Sequence, residues 1–173
     1  MARLCASRDR KELDVARNGR VSSATTCAGF RARRAASAIT RLYDRFLEPS
    51  GLTSSQFAVL ATLYLEGTTT MHELAERLGV DPSTMTRAVG ALERDGLVRT
   101  ERASMDQRAR RVALSAKGRR RVTAARPHWE AAQAELRRRI GGQRFERLIA
   151  DLGVVVEALS SETAQEKGAK KKE

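Results

Sequence analysis

The chain has 173 residues, 41% of them apolar and only 4% aromatic, enough for one domain with a core of Leu, Ala, Val and Ile plus appendages. No run of about 18 apolar residues occurs, which excludes a membrane-spanning helix, and the charged start MARLCASRDR lacks the apolar centre of a secretory signal. The net charge of +12 is unevenly placed: residues 82–126 hold twelve Lys and Arg against four Asp and Glu, so a polyanionic partner is expected for that block.

Residues 1–30 are polar, interrupted by Asn18-Gly19 and Ser22-Ser23, and show no sustained period; they are expected to be a disordered extension. From Arg31 a helical stripe begins, with Ala35, Ile39, Leu42 and Phe46 on one face and Ala36 and Tyr43 beside it, ending at Pro49-Ser50-Gly51. Thr53 and Gln56 have the spacing of a capping box and open a helix expected to bury Phe57, Leu60, Ala61 and Tyr64 up to Gly67. Thr68-Thr69-Thr70 suits a very short strand. Thr70 and Glu73 repeat the capping box ahead of Met71, Leu74, Ala75 and Leu78, and Gly79 can adopt the left-handed backbone that ends such a helix. Asp81-Pro82 then supplies a cap and a first helical proline for a helix burying Met85, Ala88, Val89 and Leu92.

These two helices are joined by only Gly79-Val80-Asp81, the spacing of a helix-turn-helix. Two short strands follow, 97–102 and 110–115, around a charged loop. A hairpin directly after a helix-turn-helix is the architecture of a winged helix, mostly α with a small β-hairpin wing. Ser115 caps a further helix carrying Val122, Ala125, Trp129, Ala132 and Leu136, in which Pro127 is expected to produce a bend or break. After Gly141-Gly142 a last helix carries Phe145, Leu148, Ile149, Leu152, Val155, Val156 and Leu159, and residues 161–173 read as a flexible basic tail.

The outer face of the second helix-turn-helix helix tests the polyanion reading. Ser83, Arg87, Gly90 and Arg94 lie opposite Met85 and Leu92, with Thr84, Thr86 and Ala91 on the flanks. Small hydroxyls and a glycine permit close approach to a major groove, and an arginine can contact guanine through two hydrogen bonds. A merely solvated face more often carries Glu and Lys. In the wing, SMDQRARRVALS (104–115) crowds Arg108, Arg110 and Arg111 around one carboxylate, Asp106. Guanidinium groups there suit phosphate or a narrow minor groove. Asp106 is expected to orient Arg108 or to cap the turn, its alternative being simple turn propensity.

Four segments, RAASAITRLYD (34–44), GLTSSQF (51–57), LAERLGVDPSTMTR (74–87) and DQRARRVALS (106–115), resemble the MarR family of multiple-antibiotic-resistance regulators, in order across residues 30–160. The resemblance implies a homodimeric winged-helix transcription factor, usually a repressor, on a near-palindromic operator of double-stranded DNA. It places Thr84, Thr86, Arg87, Asp106 and Arg108 at DNA-contacting or wing positions, and Ser83, Arg94 and Arg110 join them from the face reading. It further implies dimerisation through a first helix (31–50) and C-terminal helices (116–160) flanking the DNA-binding domain (51–115). The apolar stripe from Phe145 to Leu159 agrees with that.

Family ligands often sit between the dimerisation helices and the winged domain, so Tyr43, Phe46 and Trp129 are effector-pocket candidates by location. Some members sense organic hydroperoxides through a cysteine near the start of the first helix. Cys27 stands there, with Arg31, Arg33 and Arg34 to favour the reactive thiolate, the alternative being an inert thiol. Cys5 and Cys27 both precede the folded part and cannot staple it, which suggests a reducing, cytoplasmic setting.

Neither histidine, His72 or His128, has metal-ligand spacing, and no phosphate loop or nucleophile motif appears, so neither an enzyme, a metal site nor a cofactor is expected. Two other binding modes remain open on the residues alone: a non-specific architectural DNA-coating protein, and a protein–protein adaptor that would need neither Arg87 nor Arg108.

Overall fold

The computed structural model describes residues 26–102 and 110–169, with side chains for 26–101 and 110–160. The chain divides into two compact units, residues 1–42 and 43–173. Helix α1 (Ala28–Leu47), which begins in the first and ends in the second, starts three residues earlier than its periodicity suggests. The start is set locally: the Cys27 carbonyl accepts from the Arg31 amide at 3.0 Å, and the Arg34 guanidinium sits over the Phe30 ring one turn below, 5.6 Å from its centroid. The remainder of the segment expected to be disordered, 1–25, lies outside the described residues.

In the second unit a 3-10 turn (Glu48–Ser50) follows the end of α1, and Gly51 leaves it at φ 68°. Helices α2 (Ser54–Glu66), α3 (Met71–Arg77) and α4 (Pro82–Arg94) come next, with the two-residue strand β1 (Thr69–Thr70) between α2 and α3. Both capping boxes form as spaced: Thr53 with Gln56, and Thr70 with Glu73, each pair exchanging side-chain and backbone hydrogen bonds. Strands β2 (Val98–Arg102) and β3 (Arg110–Leu114) complete an antiparallel sheet in the order β1–β3–β2, Val98 facing Leu114 and Arg102 facing Arg110. Helix α5 (Ala116–Ile140) and helix α6 (Gly142–Ala169) end the described chain.

One core joins these elements. Leu60, Leu63, Leu74, Met85, Val89, Leu92 and Val112 are essentially withdrawn from solvent, with Leu47, Leu52, Phe57, Val122 and Ala125 around them. Fully burying a Leu or Val contributes about 1.5–3 kcal/mol, so this cluster dominates the stability of the unit.

Three expectations are corrected. Helix α2 buries Val59 and Leu63 and leaves Tyr64 44% exposed, because neighbours on more than one side widen the buried face beyond a single stripe. Helix α5 is not broken at Pro127, which corrects the break though not the bend: Val122 and Ala125 before the proline and Ala132 after it are buried, and that packing outweighs the lost hydrogen bond. Helix α6 runs on to Ala169 through most of the expected tail, whose Ala, Gln, Glu and Lys residues are good helix formers with no proline among them.

Candidate nucleic-acid interface

The turn between α3 and α4 is fixed by glycine and by a cap. Gly79 takes φ 62°, and the Val80 amide closes the turn onto the Ala75 carbonyl at 3.0 Å. Asp81 then accepts from the Thr84 amide at 2.9 Å and from the Ser83 hydroxyl. The Ser83 and Thr84 contacts hold the Asp81 carboxyl well below the usual carboxylate range. The cap is therefore charged at any ordinary pH, and it directs the first turn of α4 outward.

On that outward face the Thr86 hydroxyl donates back to the Pro82 carbonyl at 2.8 Å, and Arg87 donates to the Thr84 hydroxyl at 3.2 Å. Ser83, Thr86, Arg87 and Arg94 are exposed and Thr84 partly so, which brings five of the residues singled out for DNA contact onto one face of one helix. A Cβ built on Gly90 meets nothing within 4 Å, so the glycine there is not demanded by the protein's own packing. It leaves the middle of the face low.

Beside this face stands the base of the hairpin. Arg110 is exposed at the start of β3, and the register sets Arg102 of β2 directly opposite it. Asp106 and Arg108, at the tip, lie outside the described residues.

The three-stranded sheet is tied to the helix-turn-helix by two carboxylates, the capping-box Glu73 and Glu93, the second of which sequence reading did not single out. Glu93 of α4 accepts from the Thr100 amide at 2.9 Å and from its hydroxyl at 2.6 Å; these bonds hold its carboxyl below the ordinary value. Glu73 of α3 accepts from Thr69 and Thr70 on β1 and is lowered to about 2, the Thr70 amide being the largest cause. At the hairpin's root the Ser115 hydroxyl meets the Gly96 carbonyl at 2.7 Å, and Lys117 donates to the Asp95 carbonyl at 2.7 Å. A Cβ on Gly118 would stand 1.9 Å from the Leu97 carbonyl oxygen, so backbone rests on backbone there. A glycine one turn into a long helix is the one sequence signal that points to that close approach.

The three effector-pocket residues are not brought together. The Trp129 ring stacks on Phe57 with centroids 6.0 Å apart and lines a cavity of about 350 Å³ with Ala61, Tyr64, Val122 and Arg126. Phe46 lines a separate, open cleft with Arg45, Pro49 and His128. The Tyr43 hydroxyl donates to Gln133, and burial pushes its phenol up. Cys27 is exposed with a free thiol. On α6, Ile149, Leu152, Val154, Val155, Val156 and Leu159 are 45–64% exposed. His72 is an exposed first-turn residue whose Nε2 lies 3.3 Å from Glu76. Among the described residues no group of His, Cys, Asp and Glu is placed to hold a metal ion, and no helix is long and apolar enough to cross a membrane.

A helix-turn-helix with an outward arginine-bearing helix, flanked by a three-stranded antiparallel sheet, defines a winged helix. Residues 52–109 match the MarR family. Transcriptional regulator MosR of M. tuberculosis, crystallised with DNA, is similar at 45% identity over 76% of this chain and 97% of its own, with a TM-score of 0.66. The PcaV transcriptional regulator of Streptomyces coelicolor, in complex with its natural ligand, is 25% identical over 78% and 94% (TM-score 0.69). MarR of E. coli complexed with operator DNA shares the fold at 24% identity over 73% and 91% (TM-score 0.67). The chain belongs to the MarR family and is a DNA-binding transcriptional regulator with a winged-helix fold.

Proposed function

We propose that the chain is a repressor that binds a near-palindromic operator as a homodimer and leaves it when an effector binds. The observation that carries this is the outer face of α4: hydroxyls, arginines and a low glycine, capped and aimed away from the core. In this reading Arg87 reads a base edge, Ser83, Thr84, Thr86 and Arg94 follow the groove, and Arg110, Arg108 and Asp106 serve the wing. The exposed apolar face of α6 pairs with a second copy, since monomers rarely leave such a patch open to water. The protein acts in the cytoplasm and carries out no catalysis.

The effector is a small molecule. The cavity walled by Phe57, Tyr64 and Trp129 supports it through its size and its aromatic lining with one arginine. An oxidant acting at the exposed Cys27 is the second reading, supported by the free thiol. The decisive experiment is binding to a duplex enriched from random sequence by the protein itself, in excess non-specific competitor and at several salt concentrations. We expect the complex to survive competition, with a slope of log affinity against log salt of roughly 0.9 per phosphate contact. Loss of the complex under competition would indicate an architectural DNA-coating protein, and a slope near zero would end the DNA-contact assignments.

A further inference from the structure

Among the described residues strand β2 is an edge of the sheet, paired with β3 alone, so every second amide along it points away from the ladder. Thr100, its middle residue, turns its amide and its hydroxyl to the same oxygen of Glu93, in the last turn of α4. Its neighbours Arg99 and Glu101 pair with each other at 2.7 Å and leave that carboxylate alone. The field of Arg110, across the hairpin, also falls on Glu93. The opposite edge of the sheet is held by Glu73 on Thr69 and Thr70. Each helix of the helix-turn-helix thus grips one edge of the sheet with a carboxylate.

We propose that Glu93 is a positioning residue for DNA recognition: by holding Thr100 it sets the angle at which the hairpin stands beside the recognition helix, and so whether α4 and the wing can engage one operator together. This rests on the DNA-binding reading above. Glu93 itself is an acceptor on a positively charged surface, and repels phosphate. Its contribution is therefore to discrimination and not to attraction. Removing it loosens the wing and at the same time takes one negative charge off the face, so binding to operator and to arbitrary DNA should move in opposite directions.

The test uses the full chain and two duplexes, one enriched from random sequence by the wild-type protein and one scrambled from it. Glu93→Ala should weaken the enriched duplex about five- to tenfold, the effect of losing a typical hydrogen bond, and Thr100→Val, which keeps the amide bond and loses only the hydroxyl bond, should weaken it less. Binding of the scrambled duplex should be unchanged for Thr100→Val and tighter for Glu93→Ala. Glu93→Gln, which keeps the acceptor oxygen, should recover most of the preference. The double variant Glu93→Ala/Thr100→Val should be no worse than Glu93→Ala alone, since the two act through one contact. Helix content and melting temperature of each variant separate this from loss of fold; if Glu93→Ala does not fold, Glu93→Gln and Thr100→Val decide the matter. Equal losses on both duplexes, additive losses, or an unaltered preference in every variant would overturn the role of Glu93 while leaving the DNA-binding reading in place. A wild-type protein with no preference between the duplexes would overturn both.

Discussion

Helices α4 and α6 each present an exposed face to solvent, and the faces differ in kind. The outer side of α4 carries Ser83, Thr86, Arg87 and Arg94 around a low glycine, with Asp81 capping its first turn. The outer side of α6 carries Ile149, Leu152, Val155, Val156 and Leu159, each about half exposed or more. Neither face is used by the described core. Water satisfies the first without cost, so the arginines there gain only when counterions are displaced from a polyanion. The second is out of place in water, and burying it against apolar surface stabilises at about 25 cal/mol per Å². One face signals a partner that is charged, the other a partner that is greasy, and the chain's own copy is such a partner.

The sharpest way to break this contrast is to charge the apolar face. Leu152→Asp combined with Val156→Asp should give monomer or unfolded chain in sedimentation, because two carboxylates cannot be buried unpaired; a dimer that survives would move the pairing surface elsewhere. On the other face, Arg87→Ala should leave the oligomer intact and weaken operator binding by about 1–3 kcal/mol, with relaxed discrimination at one base pair. An equal loss on random DNA would demote Arg87 to a phosphate contact. The smallest effect expected is also the most diagnostic. Gly90→Ala fills open space in a helix interior, so the melting temperature should rise by the equivalent of about 0.5–1 kcal/mol while operator affinity falls. If both rise together, the low point on the face is not there for DNA.

Local chemistry made much of this legible in the sequence. The caps Thr53–Gln56, Thr70–Glu73, Asp81 and Ser115 all form where hydroxyl or carboxylate, spacing and proline place them, since a cap needs only four consecutive residues. Five of the residues marked for DNA contact share one exposed helical face for the same reason: periodicity is a local property. What could not be read depends on distant partners. Leu63 rather than Tyr64 is buried in α2 because several elements crowd that helix, and no single period encodes their number. The split of Phe46 from Trp129 between two clefts follows from how the end of α1 and α5 sit against the 3-10 turn, where Arg121 donates to the Ser50 carbonyl across 71 residues. Glu93 drew no reading from the sequence because its partner, Thr100, is brought beside it only when the chain folds back over seven residues.

The contact between Gly118 and Leu97 has a mechanical meaning. With no side chain between them, the carbonyl of Leu97 bears directly on the first turns of α5, and a close-packed joint of that sort transmits displacement without absorbing it. Further along the same helix, Val122, Thr123, Arg126 and Trp129 form a wall of the aromatic cavity. Helix α5 thus has the hairpin's root against its first turn and the aromatic cavity along its flank. A change in the tilt of that helix is therefore a change in the seat of the hairpin.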